Sequence, residues 1–189
     1  MEHIQITDAE SALLGLIAEA GPVSGYRLMT LAAERHMLQW ASLSPSNVYN
    51  SLKKLRSNEL VLAVQDVDKR GRGPSGLHYT ISGTGRTALR HQIESSLVEG
   101  REQSASFKLA LAFCACIPSQ RIAALLAERG TVLHERLLQV EAARAEFDAD
   151  TNAPPSAALL FDYVAQSLNH EMKMAQRLAL AVSKGGGLE

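Results

Sequence analysis

Ser46, Asn50, Lys53 and Ser57 recur at intervals of four, three and four residues. On a helix that spacing gathers them on one face, because successive side chains advance by about 100°. Val48, Leu52 and Leu55 then share the opposite face, which can be buried. Asn47, Tyr49 and Lys54 flank the polar side. A hydroxyl, an amide and an ammonium carried on one exposed face are the groups that bond base edges and phosphates in a DNA major groove. An amphipathic helix with a polar outside is also the ordinary surface helix, so the face needs a setting.

The setting follows directly in the sequence. From Lys53 to Arg90 the chain carries eight Lys and Arg against three acidic residues, although its net charge is −1. Lys69, Arg70 and Arg72 lie among glycines between two runs that alternate with a period of two, Leu60–Val64 and Leu77–Ile81. Two short strands around a glycine-rich loop read as a β-hairpin. A basic finger beside a polar helix can grip phosphates of the neighbouring groove.

Three helices precede the hairpin. The first contains Leu13, Leu16, Ile17 and Ala20, with Asp8 as its expected cap and Gly21-Pro22 as its end. Ser24 caps a second helix through Tyr26, Leu28, Leu31 and Ala32 to about Arg35. Ser44-Pro45 opens the third, serine at the cap and proline at the first helical position being a strong start. Trp40, in the linker, either packs on this domain or lines a small-molecule cleft. Ser82 to Gly85 starts a fourth helix through Leu89, Ile93 and Leu97. The order helix, helix, polar helix, strand, basic loop, strand is that of a winged helix-turn-helix.

The second half reads as wholly helical. An apolar segment, Phe107–Cys116, is expected to be buried, with Cys114 and Cys116 as small hydrophobes rather than metal ligands. A helix from Pro118-Ser119 is expected to break at Gly130 and resume to about Phe147. A loop spans Asp148–Pro155, and a last helix runs from Ser156 to Ser183. On it Phe161, Val164, Leu168, Met172 and Ala175 form one stripe, which either seals the core of the chain or meets a partner. The expected fold class is mainly α with a small β-hairpin. A winged helix-turn-helix DNA-binding domain over 1–97 precedes a helical dimerisation domain over 98–184, and 185–189 form a disordered tail.

Composition narrows the classes. A hydrophobic fraction of 46% and a charged fraction of 21% suit a soluble globular protein. No secretory signal and no apolar run of membrane-spanning length is present, so a cytoplasmic protein without membrane contact is expected. There is no phosphate-binding glycine loop, nucleophile elbow or metal-spaced His/Cys cluster. Gly83-Thr84-Gly85 is too short to cradle a phosphate. An enzyme is therefore not expected, nor a cofactor or metal.

The chain resembles the PadR-like transcriptional regulators. The resemblance starts at Leu13-Leu14-Gly15-Leu16-Ile17 and Gly21-Pro22-Val23-Ser24-Gly25-Tyr26. It continues through Leu43-Ser44-Pro45-Ser46-Asn47-Val48-Tyr49-Asn50-Ser51-Leu52-Lys53-Lys54-Leu55, and closes on the Gly-Arg of the wing, Tyr79-Thr80-Ile81-Ser82 and Gly85-Arg86. It covers about residues 10–90. The helical second half resembles the family's longer branch. Two departures stand out. Leu77 and His78 replace the basic pair that often precedes the wing tyrosine, and Gly83 follows the serine of the fourth helix.

The resemblance implies that Ser44 to Lys54 enters the major groove of double-stranded DNA and that Tyr26 and Tyr49 touch the backbone. Both tyrosines could instead be half-buried packing residues. Amides at the helix starts near Ser24 and Ser46 can add donors to phosphate. With Lys69, Arg70 and Arg72 from the wing, these complete the expected DNA-binding set. The resemblance also implies a homodimer on a pseudo-palindromic operator, through Leu89, Ile93 and Leu97 with the stripe on the last helix. It further implies a repressor released by a small-molecule effector. The alternative is a winged-helix protein-interaction module without sequence-specific DNA binding.

Overall fold

The computed structural model describes residues 5–65, 76–101, 104–148, 154 and 156–184. The elements are α1 (Asp8–Ala20), β1 (Val23–Ser24), α2 (Gly25–Glu34), α3 (Pro45–Ser57), β2 (Val61–Gln65), β3 (Leu77–Ile81), α4 (Gly83–Val98), α5 (Ala105–Phe113), α6 (Ser119–Asp148) and α7 (Ser156–Ser183). The protein is mainly helical with a small antiparallel sheet, as expected. The chain divides into two compact units. One comprises residues up to Ile93 together with Lys108–Phe113. The other comprises Glu94–Phe107 and Cys114 onward.

In the first unit each helix start has a local cause. Thr7, not Asp8, caps α1: its hydroxyl accepts from Glu10 N, and the Glu10 carboxylate accepts from Thr7 N, a reciprocal capping box. Asp8 lies one residue inside, in the first turn, where its charge still suits the helix dipole. Ser24 caps α2 and Ser44 caps α3, with Pro45 at the first helical position.

The two helix ends carry no glycine. After α2, His36 N donates to Ala33 O and Met37 N to Ala32 O, and His36 takes a φ of +54°. After α3, Glu59 N donates to Arg56 O and Leu60 N to Leu55 O, with Glu59 at φ +57°. Both are Schellman turns built on residues that the left-handed region disfavours.

The sheet has three strands in the order β1-β3-β2, one more than the expected hairpin. In β2 and β3, Val61 faces Ile81 and Ala63 faces Tyr79, and β1 adds Val23 opposite Tyr79. Val23, Val61, Tyr79 and Ile81 are buried, whereas Leu62 and Val64 are exposed on the other face. The core of the unit is made by Leu13, Leu14, Leu16 and Ile17 of α1, Leu28 of α2, and Val48, Leu52 and Leu55 of α3. Ser82 closes the domain. Its hydroxyl donates to Glu59 O (2.7 Å) and accepts from Gly85 N (2.9 Å), so one side chain caps α4 and ties it to the end of α3. Gly85 has no room for a side chain, because a Cβ there would overlap the Leu60 carbonyl.

In the second unit α6 runs unbroken through Gly130, contrary to the expected interruption. A single glycine costs only about 1 kcal/mol in a helix interior, little beside the packing along α7. The two helices are antiparallel: Leu133 and Leu137 pack on Leu168, and Phe147 near the end of α6 meets Phe161 near the start of α7, with ring centroids 5.5 Å apart. Arg144 pairs with Asp162. Arg129 is fully buried. It donates to the carbonyls of Glu99 and Arg101, pairs with Glu171 and lies over the Phe107 ring at 3.9 Å. Arg136 adds a bond to Gly100 O (2.8 Å). Two guanidinium groups of α6 thus satisfy carbonyls just beyond the C-terminal end of α4, where positive charge is favoured. Cys114 is buried, but Cys116 is exposed, which corrects the expectation for that residue.

Candidate nucleic-acid interface

The third helix presents the face its spacing predicts. Ser46, Asn50 and Lys53 are exposed, while Val48 and Leu52 are 0% exposed beneath them. Among the described residues Lys53 makes no ion pair. Its ammonium is therefore available to an anion.

Several members of the predicted set are bound to the protein itself. The Ser44 hydroxyl accepts from Asn47 N and lies 3.3 Å from the Ser46 hydroxyl. The Asn47 amide donates to Ser42 O (2.7 Å), and its oxygen accepts from the Ser51 hydroxyl. Lys54 Nζ lies 3.0 Å from Glu10 Oε1. The reason is rotational. Asn47 and Lys54 fall on the shoulders of the helix, between the outer face and the buried stripe, where α1 and the preceding turn lie within reach.

Tyr26 stands at the start of α2, and the ring of Tyr49 on α3 lies close to Gly25 beside it. Tyr26 is 78% exposed and Tyr49 is 56% exposed, so neither is the half-buried packing residue considered as the alternative. Gly25 makes room for the Tyr49 ring, whose Cε1 would lie 3.0 Å from a Cβ at that position. Ser24 caps α2 through Arg27 N. Tyr79 completes a group behind them. Burial pushes its phenol above the ordinary value of 10.0, the Arg56 guanidinium pulls it down, and the Tyr49 phenol nearby raises it.

Arg56 belongs to this neighbourhood and was not among the predicted contacts. It is exposed and sits seven residues after Tyr49, two turns along the same face. The signal was in the sequence as that spacing, although Arg56 entered the reading only as part of the charge.

On the wing, Val64 stands opposite His78, and His78 opposite Ser24, so the outer face of the sheet carries these side chains together. Lys69, Arg70 and Arg72 lie outside the described residues.

The dimerisation set fares differently. Leu89, Ile93, Leu97, Leu168 and Ala175 are at most 3% exposed within the single chain. Within the single chain they are interior residues. Phe161, Val164 and Met172 are half-buried against α6. The exposed apolar residues of α7 are Leu159, Leu160, Tyr163 and Leu180, with Leu138 on α6. An apolar cleft of about 270 Å³ opens among Gln139, Val140, Ala143, Leu160, Phe161 and Val164, with Arg136 at its side.

Among the described residues no group of His, Cys, Asp and Glu is placed to hold a metal ion, and no helix is long and apolar enough to cross a membrane.

No protein-family model matches the chain, and no curated protein does. Among solved structures the chain is similar to Bacillus subtilis PadR in complex with operator DNA, at 17% identity over 92% of this chain and 98% of that one, with a TM-score of 0.40. It is similar to the same protein in complex with p-coumaric acid, at 17% identity over 93% and 99%, with a TM-score of 0.37. It is also similar to the PadR-like transcriptional regulator BC1756 from Bacillus cereus, at 14% identity over 94% and 99%, with a TM-score of 0.39. These three solved structures are of PadR and a PadR-like regulator.

Proposed function

We propose that the protein is a DNA-binding transcriptional regulator that inserts α3 into the major groove as a homodimer. The carrying observation is the exposed row Ser46, Tyr49, Asn50 and Lys53 on a helix whose other face is wholly buried. Asn50 and Ser46 bond base edges. Lys53 neutralises a phosphate, joined by Arg56. Tyr26 and Tyr49 give phenols to the backbone beside the α2 start capped by Ser24. Lys69, Arg70 and Arg72 extend the grip from the wing. Ser44, Asn47 and Lys54 act by holding α3 in place.

A single recognition helix reads only a few base pairs, so two copies are needed for an operator. The exposed Leu159, Leu160 and Tyr163 of α7, contiguous with the apolar cleft, supply the surface for the second copy. The sequence resemblance to PadR-like regulators extends the proposal to repression and to release by a small-molecule effector.

The test is fluorescence anisotropy of a mixed-sequence duplex titrated at several salt concentrations. Lys53→Ala should weaken binding and reduce the salt slope by about 0.9 per bound subunit. A wild-type protein that ignores the duplex at low salt would end this proposal and favour a winged-helix protein-interaction module.

A further inference from the structure

Glu10 is 3% exposed, and its two carboxylate oxygens have different employments. Oε2 accepts from Thr7 N at 2.8 Å and completes the capping box of α1, while Oε1 lies 3.0 Å from Lys54 Nζ on α3. The first task does not need a charge, because glutamine serves that position of a capping box equally well. Beyond its place in the first turn of α1, the one ion pair that the Glu10 charge makes among the described residues is with Lys54. A buried carboxylate stripped of its partner is strongly unfavourable, whereas removing both partners together is nearly neutral. Drawing Lys54 away to a phosphate would leave Glu10 in the first condition.

We propose that Glu10 governs the DNA-facing charge of α3. It retains Lys54 against α1, so that Lys53 meets phosphate and Lys54 does not, and it keeps the affinity for duplex DNA below what the helix could deliver. This rests on the DNA-binding function proposed above. The ligand concerned is the phosphate backbone of a DNA duplex, and the contribution withheld is independent of base sequence.

The full-length chain tests it, in the same anisotropy titrations over about 50–200 mM salt. Glu10→Gln keeps the cap and frees Lys54. Its salt slope should steepen by about 0.9 per bound subunit, so that its affinity, raised at the low-salt end, falls about 3-fold more per subunit than that of the wild type across that range. Glu10→Gln combined with Lys54→Met removes both charges and should return the slope to that of the wild type. The double variant is a second, independent readout, and because Lys54 is 55% exposed neither variant leaves a buried charge unpaired. A double variant with a slope shallower than wild type by about 0.9 per subunit would mean that Lys54 already meets phosphate, and the inference is overturned. An unchanged slope in a folded Glu10→Gln overturns it as well. In both cases a slope that falls in Lys53→Ala leaves the DNA-binding function standing. A wild-type protein that does not bind the duplex removes both.

Discussion

The side-chain amide of Asn47 donates to the carbonyl oxygen of Ser42 at 2.7 Å, and Ser42 itself sits at a φ of +53°. One bond thus fastens the first turn of α3 to the left-handed bend that delivers it. Asn50, one turn further on, is exposed and faces outward.

The two asparagines should therefore separate in mutagenesis. Asn47→Ala should lower stability by about 1 kcal/mol in urea unfolding, since it deletes the bonds to Ser42 and Ser51. Asn50→Ala should leave stability unchanged within about 0.5 kcal/mol and should weaken duplex binding. Equal losses of stability in both would contradict this division.

Glu59→Gly should stabilise the protein by about 1 kcal/mol, because the left-handed backbone that closes α3 disfavours a side chain. For a chain of this size that is a rise of about 2–4 °C in Tm by calorimetry. The bonds of the turn and the Ser82 contact use only the Glu59 backbone, so they survive the change. A lowered Tm would show that the Glu59 side chain carries an interaction of its own.

Tyr79 gives a pH dependence of known sign. Burial is the largest influence on its phenol and raises it above 10.0, so the unfolded chain releases this proton first. Its contribution is present below pH 10.0 and is lost as pH rises through the folded value. Tyr79→Phe should show a smaller loss of stability than wild type when chemical unfolding is compared on the two sides of pH 10.0. Identical alkaline losses in the two proteins would refute the assignment to Tyr79.

On α7, Tyr163→Glu and Leu168→Asp should fail in different ways. Tyr163 is 65% exposed, and its replacement should leave thermal stability intact while shifting sedimentation toward the monomer. Leu168 is buried between Leu133 and Leu137, and a carboxylate there should unfold the α6–α7 pair. Unaltered sedimentation for Tyr163→Glu, beside a self-associating wild type, would place the partner surface elsewhere.

Helix α3 was legible because all its determinants are local. Ser44-Pro45 marks the start, and the spacing of Val48, Leu52 and Leu55 fixes which side is buried. What escaped depends on contacts distant in sequence. The pair Val23-Ser24 is a strand only because Tyr79 and His78 lie beside it. The turns at His36 and Glu59 lack the glycine by which such ends are recognised. Gly130 looked like a break, yet nothing lies within 4 Å of where its Cβ would be, and the long contact with α7 carries the helix across it. The readings of Asn47 and Lys54 changed for the same reason. Periodicity put them near the outer face but could not reveal Ser42 and Glu10 as their partners. The stripe on α7 was correctly seen as apolar, and the sequence left open whether it faced a second subunit or α6.

Phe113 lies against Gly15, its ring atoms 2.5 Å from where a Cβ on that glycine would be. It is part of the six-residue stretch, Lys108–Phe113, that clusters with the first unit although it comes after the start of the second. A protein chemist who trimmed the gene at Leu97 to obtain a minimal winged helix would discard the ring that fills this notch in α1. Such a fragment would enter solution with an apolar wound beside Gly15, and aggregation or poor yield would then report on the cut rather than on the binding surface.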